Sequence, residues 1–327
     1  MTYGVALLGA GRIGRIHAAN IAAHPELKLA WVSDKNADAA AEIASRFGAR
    51  VGGADEVIEG HAVDAVLVAT STDTHLDLIL RAHRAGKVVF CEKPVDLDLD
   101  RARAAAETLG DMPVFIGFNR RFDPNFAALK AKLVSGEAGV LESLQITSND
   151  PSPPPIDYVR TSGGLFADMT IHDFDMARFL LGEEPIELIA WGSCLVDPAI
   201  GEAGDIDTAR ILLRTASGKL AVIANSRRSG FGYDQRVEAF CSQGLVAAGN
   251  MTESTVQVWR EDGASAAPFQ NFFLERYAAA FRNEINHFAD ILVRRAVPLV
   301  DFHDGVAALA LADAARRSLA TGAAVAV

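Results

Sequence analysis

The segment Gly163-Gly164-Leu165-Phe166-Ala167-Asp168-Met169-Thr170-Ile171-His172-Asp173-Phe174-Asp175 gathers acid–base groups at a spacing that suits chemistry. On a helix, Asp168, His172 and Asp175 fall at i, i+4 and i+7 and share one face. A carboxylate one turn from an imidazole orients it and stabilises its protonated form, as a general base near neutral pH requires. The same pattern also suits a solvated polar face, or a His–Asp pair that satisfies its own hydrogen bonds. One histidine with neighbouring aspartates supplies too few ligands for a metal, and the other histidines are scattered, so no metal is expected.

A second candidate is Cys91-Glu92-Lys93-Pro94, which ends an apolar run. In doubly wound sheets, ligands sit at the C-terminal edge of the strands, and a lysine there can aim its ammonium at a substrate oxygen. A plain Glu–Lys pair closing a strand is the alternative. Pro94 restricts the backbone before it and admits a cis peptide.

The third is Gly9-Ala10-Gly11-Arg12-Ile13-Gly14, which follows a short apolar strand and opens a helical pattern. Gly9 permits the tight turn, Gly11 lets a pyrophosphate approach the backbone, and Gly14 lets helix and strand pack closely. The exposed N–H groups at the helix start then hold phosphate. Asp34, 20 residues beyond Gly14, stands where a carboxylate accepts from the adenine-ribose hydroxyls. It would repel a 2′-phosphate, so NAD is expected over NADP, with Lys35 next door softening that repulsion.

These groups need a scaffold. The first third alternates apolar runs (Val5–Leu8, Leu27–Ser33, Ala65–Ala69, Val88–Cys91, Val114–Gly117) with helical patterns (Ile13–Ala23, Asp38–Phe47, Thr74–Ala85, Arg101–Leu109). Strands apolar on both faces and separated by helices predict a parallel sheet covered on both sides. The rhythm changes near residues 118–122. A helix at Pro124–Ser135, a strand at Leu141–Ser148, a turn-rich Asn149–Pro155 and a helix at about Phe166–Leu181 follow. Strands are then expected at Glu187–Val196, Thr208–Thr215, Lys219–Ser226, Gln235–Cys241, Leu245–Ala248 and Thr255–Trp259, with a hairpin turn at Ala216-Ser217-Gly218. Helices Phe272–Arg295 and Asp304–Thr321 close the chain. The predicted fold class is α/β: a Rossmann-type doubly wound parallel sheet, then an α+β part with an open, mostly antiparallel sheet. At 327 residues two domains are expected, 1–120 for the dinucleotide and 121–327 for substrate and assembly, with the last helices free to pack back on the first.

Composition narrows the classes further. Lys+Arg number 31 and Asp+Glu 42, a net charge of −11, which argues against a phosphate-backbone binder. Apolar runs reach about eight residues, well short of the roughly 20 that cross a bilayer. The start, Met1-Thr2-Tyr3, lacks the basic opening of a signal peptide. Cys91, Cys194 and Cys241 are widely spaced and form no Cys-x-x-Cys pair, so a reducing cytoplasm is the expected setting.

The glycine fingerprint, Glu92-Lys93-Pro94 and the Gly-Gly…Asp168-x-x-x-His172 stretch, in this order, resemble the Gfo/Idh/MocA family of NAD(P)-dependent oxidoreductases across essentially the whole chain. Finer motifs resemble its inositol dehydrogenase branch: Ile116–Asp123, Asp168–Arg178, Val196–Gly201 and Gly232–Arg236. The resemblance implies NAD-dependent oxidation of myo-inositol at carbon 2. Another cyclitol, or a pyranose sugar, is the alternative on the same scaffold. A non-catalytic sensor is the remote one, since its mark would be loss of Lys93 or His172, and both are present.

The resemblance also implies roles. Lys93 contacts the reacting oxygen, His172 takes the hydroxyl proton, and Asp168 holds both in place. Asp175, Tyr233 and Arg120 line the polyol pocket or the nicotinamide end, and Asn119 and Asp150 join the substrate set. Cofactor contacts are expected from Gly9 through Gly14 (with Ala10, Arg12 and Ile13), Asp34, Thr70, Ser71, His75, Glu92, Lys93 and Arg120. Asn119 stands where some inositol dehydrogenases carry methionine, and Asn149-Asp150-Pro151 departs from forms with a histidine and an asparagine nearby. By the same resemblance the open sheet implies a homotetramer, and Lys93-Pro94 a cis peptide.

Overall fold

The computed structural model describes residues 2–110 and 113–327; Met1, where the reading of the leader begins, lies outside them. The chain divides into two compact units. One comprises residues up to Phe122 together with Ala280–Leu309, the other Asp123–Ala279 together with Ala310–Val327.

The first unit is built on six parallel strands, β1 (Tyr3–Leu8), β2 (Leu27–Ser33), β3 (Arg50–Val51), β4 (Ala65–Val68), β5 (Val88–Glu92) and β6 (Val114–Gly117). Their order is β3-β2-β1-β4-β5-β6. The order reverses between β1 and β4, and at such a point the connections leave in opposite directions and open a crevice beyond the strand ends. Val5–Leu8 and Ala65–Val68 are fully buried, as strands covered on both faces must be. Phe90 on β5 packs against Phe115 on β6 and Phe288 of the helix Ala278–Arg294, with ring centroids 4.7 and 5.4 Å apart. The exposed two-residue β3 and the helix Ala54–Glu59 were not anticipated, because neither is long enough to show a hydrophobic period.

The second unit carries a seven-stranded sheet: β7 (Leu141–Asn149), β8 (Pro185–Ser193), β9 (Thr208–Thr215), β10 (Leu220–Ser226), β11 (Asp234–Cys241) and β12 (Gly244–Ala248), with the short terminal strand Val325–Ala326 at its edge. All pairings are antiparallel except β7 with β10, which run parallel with Ser226 opposite Asn149. Alternation along β9, and along β11 from Gln235 onward, buries one face of the sheet and leaves the other to solvent.

Three expectations change here. The stretch Thr255–Trp259 lies in a separate exposed hairpin of Gln257–Arg260 with Gly263–Ala266. The helix expected over Phe272–Arg295 is broken at Tyr277 into Phe273–Arg276 and Ala278–Arg294. The helix expected from Phe166 begins with a π-helical turn, Phe166–Thr170, before Ile171–Leu181 continues as α-helix. Among the described residues no helix is long and apolar enough to cross a membrane.

Candidate active site

The candidate residues fall into two groups, one in each unit. In the first unit the three glycines show three different constraints. Gly9 has φ +105°, and a Cβ there would stand 2.2 Å from the Ala69 carbonyl oxygen. A Cβ on Gly14 would stand 2.0 Å from the oxygen of Gly9, so the helix Arg12–Ala23 can rest on the turn only because that position is glycine. Gly11 is different: nothing lies within 4 Å of where its Cβ would be. That open space above backbone N–H groups is what a pyrophosphate needs, and the residues present fit an NAD cofactor. Asp34, at the end of β2, accepts from the Ala10 N–H at 2.6 Å and from the Asn36 N–H at 2.7 Å. Its carboxylate therefore ties the glycine turn to the next strand. Arg12 is exposed and Ile13 half-buried at the helix start.

Lys93 sits just past β5, half-buried, with a cis peptide to Pro94. Buried histidines hold its two neighbours. His17 Nε2 stands 2.6 Å from Glu92 Oε1, and His75 Nδ1 stands 2.8 Å from the Pro94 carbonyl oxygen. His75 also brings Nε2 to 3.2 Å from the Thr70 carbonyl. Burial lowers its pKa despite both carbonyls, which favours the neutral ring with a single N–H. His75 thus sits between the Thr70-Ser71 loop after β4 and the segment that carries Lys93, and its one N–H serves one of them at a time. Asn119 and Arg120 lie in a buried turn after β6.

In the second unit Asp168 lies on the π-helical turn, and such turns recur at functional sites because they re-aim one side chain out of helical register. Its two oxygens have separate partners. The Tyr158 hydroxyl donates to Oδ1 at 2.8 Å, and Arg227 Nη2 donates to Oδ2 at 3.0 Å. Arg227, 1% exposed, also brings Nη1 to 3.7 Å from Asp150. Desolvation of its hydroxyl, then the negative charge and hydrogen bond of Asp168, raise the Tyr158 phenol above its usual range, although the residue as a whole is 49% exposed.

His172 is half-buried on the first turn of Ile171–Leu181. Residues on both sides of it are clamped by one side chain: Thr170 donates to Asn225 Oδ1 at 2.7 Å, and Asn225 Nδ2 donates to Asp173 at 2.8 Å. Ser148 on β7 donates to the other oxygen of Asp173 at 2.5 Å. The π turn alters the helical spacing: Asp168 and His172 are half-buried, whereas Asp175 is fully buried, 3.8 Å from Arg178. Tyr233 is buried with its ring edge-on to Tyr277 at 5.9 Å.

Tyr158, Arg227 and Asn225 are functional candidates that sequence reasoning missed. Arg227 follows the last residue of β10 and Asp150 the last of β7, so the parallel register that sets Ser226 opposite Asn149 makes them neighbours. That pairing joins distant segments and leaves no local trace.

Two family models match this chain. Residues 3–118 match an oxidoreductase family with an NAD-binding Rossmann fold, and residues 126–247 match the GFO/IDH/MocA C-terminal domain. The chain belongs to the Gfo/Idh/MocA family. Among its relatives in the family, the inositol 2-dehydrogenase of Rhizobium meliloti is 48% identical over 98% of each chain. The myo-inositol 2-dehydrogenase of Thermotoga maritima is 47% identical over 96% of each. The crystal structure of a myo-inositol dehydrogenase from Corynebacterium glutamicum superposes with a TM-score of 0.96 at 44% identity, covering 100% of this chain and 99% of that one. The parallel sheet with its glycine turn and the mixed open sheet are thus the two parts of the family architecture, and NAD is the cofactor of the first.

Proposed function

We propose that this chain is an NAD-dependent inositol 2-dehydrogenase that oxidises myo-inositol at carbon 2 to the 2-keto product. Oxidising a secondary alcohol needs a base for the hydroxyl proton and positive charge near the developing alkoxide. His172 is the base and Lys93 supplies the charge. Asp168, held at both oxygens by Tyr158 and Arg227, orients the catalytic pair. That doubly held carboxylate one turn before His172 is the observation that carries the reading, because a merely solvated polar face has no need of a buried arginine beneath it.

When bound, NAD accepts the hydride; the chain's own residues bind, orient and move the proton. The glycine turn, with Gly9 to Gly14 and Asp34, holds the dinucleotide, joined by Thr70, Ser71, His75, Glu92, Lys93 and Arg120. Asn119, Asp150, Asp175 and Tyr233 make up the polyol set, short polar groups that suit a ring bearing only hydroxyls. The aspartates disfavour a carboxylate-bearing substrate. The division of labour we propose is nucleotide for 1–120 and substrate for 121–327, with Ala280–Leu309 packed into the first unit.

The assembled form we propose is a homotetramer in the cytoplasm. Its support is the solvent face of the second sheet, where Trp191, Leu212, Val222 and Phe240 stand exposed on four strands. Three cysteines with no partner of their kind suit a reducing compartment.

The test is NADH formation with myo-, scyllo- and chiro-inositol and with glucose. Activity with myo-inositol is expected to be highest. No NADH from myo-inositol, with turnover of another of these, would overturn the substrate and leave the scaffold chemistry standing.

A further inference from the structure

Glu284 is a buried acid that the proposed reaction does not use. It lies on the helix Ala278–Arg294 at 0% exposure, and neither of its oxygens has a hydrogen-bond partner among the described residues. It is aimed into a cluster with His17 and Glu92, one ligand atom from each lying within 4.8 Å of the others. The wall around them is aromatic: Phe90 and Phe281 stand edge-on to the His17 ring, with centroids 5.0 and 5.8 Å away.

Two carboxyls this close beside one imidazole, with Glu284 fully out of water, oppose each other's ionisation. Burial and the Glu92 charge both push Glu284 well above the carboxylate range. Glu92, by contrast, has a hydrogen-bond partner, His17 Nε2 at 2.6 Å. A metal ion is the rival occupant of such a trio. Histidine and carboxylate ligands stand about 2.0–2.2 Å from a zinc ion, which keeps tetrahedral neighbours more than about 3 Å apart. The His17–Glu92 approach is that of a hydrogen bond instead.

We infer that Glu284 is a neutral acid that acts as a positioning residue for Lys93, working through Glu92. Glu92 is the last residue of β5 and immediately precedes Lys93. With Glu284 neutral, no second charge stands against Glu92, and the contact with His17 fixes the strand end from which Lys93 projects. A charged Glu284 would set two like charges against each other beneath that strand end. A purely apolar side chain would remove the second polar group from the cluster at Glu92.

The inference rests on the reading that Lys93 acts at the substrate oxygen, so one readout is independent of it. The infrared difference between the NAD-bound wild type and Glu284→Gln, recorded without cyclitol at neutral pH, should contain the carbonyl band of a protonated carboxylic acid. A difference containing only carboxylate bands overturns the inference. In assays at saturating NAD with the cyclitol the wild type oxidises, Glu284→Leu should lower kcat by about tenfold, the scale of one misplaced polar contact. Glu284→Gln should restore most of that rate, and Glu284→Met replaces the leucine variant if the latter does not fold. Full kcat in the apolar variant, or a glutamine variant as slow as it, overturns the inference. A wild type inert toward every cyclitol would defeat the proposed function instead, and the infrared band would still decide the state of Glu284.

Discussion

Arg227 reaches Asp168 from beneath, Nη2 to Oδ2 at 3.0 Å, with its own side chain 2% exposed and that of the aspartate 13%. Removing one partner of a buried ion pair strands the other charge and costs about 3–5 kcal/mol. Arg227→Met is therefore expected to lower kcat by at least about tenfold and to lower the melting temperature, while NAD binding persists because the glycine turn is untouched. Arg227→Lys should recover only part of the rate, since a single ammonium cannot serve Asp168 and Asp150 together. Steady-state kinetics and a thermal melt on each variant check this. A methionine variant with wild-type kcat would show that Asp168 does not depend on its arginine.

The glycines predict a sharp contrast. Gly14→Ala places a methyl group 2.0 Å from the Gly9 oxygen and should prevent proper folding of the first unit. Gly11→Ala meets nothing within 4 Å, so the protein should fold with a near-normal melting temperature yet bind NAD more weakly. Melting curves with and without NAD separate the two effects. A Gly11→Ala protein that binds NAD normally would remove the pyrophosphate from that position.

The sequence makes the nucleotide half legible because its signals are local: a strand, three glycines, a helix and an acid fall within one short stretch. It conceals the support of Asp168. Asp168, His172 and Asp175 look like one α-helical face, but hydrogen bonding over Phe166–Thr170 closes π turns, and a periodicity count has no access to that choice. Tyr158 lies just past the turn-rich Asn149–Pro155, where Pro155 caps the short helix Ile156–Val159. Arg227 meets its aspartates only after β7 and β10 pair in parallel, a contact set by the fold and not by spacing.

Asp34 carries the cofactor prediction. NAD is expected in clear preference to NADP, because the carboxylate repels a 2′-phosphate. Asp34→Ser should narrow that gap. It should also raise KM for NAD, since the Ala10 N–H loses its 2.6 Å acceptor and the glycine turn loosens. The measurement is kcat/KM with each cofactor, before and after substitution. Equal efficiency of the unmodified protein with both would refute the role.

Asp207 governs an acid-sensitive turn. Burial works to raise its pKa, but N–H groups of Leu195, Val196 and Asp197 and the Thr208 hydroxyl outweigh burial and hold it at about 2. The folded value lies below the ordinary carboxylate value of about 3.9, so the stabilisation is fully present above that pH and lost as pH falls through about 2. Urea melts between pH 5 and pH 2 should show falling stability, and Asp207→Asn should be less stable at pH 5 with a shallower decline. A parallel decline in both proteins would show that other carboxylates set the acid limit.

His172 is the decisive residue. A positioned acid–base group contributes roughly 10²–10⁴-fold, so His172→Ala should lower turnover by that factor. The fold should survive, because the residues on either side, Thr170 and Asp173, are held by Asn225 whether or not the imidazole is present. NAD affinity should change little, since the groups that hold the dinucleotide lie in the first unit. Melting temperature, NAD binding and kcat measured on one preparation distinguish a lost base from a damaged helix. The pH dependence adds a second check: the alanine variant should lose the limb of the profile that reports ionisation of the base. Near-normal turnover in that variant would mean that the imidazole is only part of a polar helix face and that the proton leaves by another route.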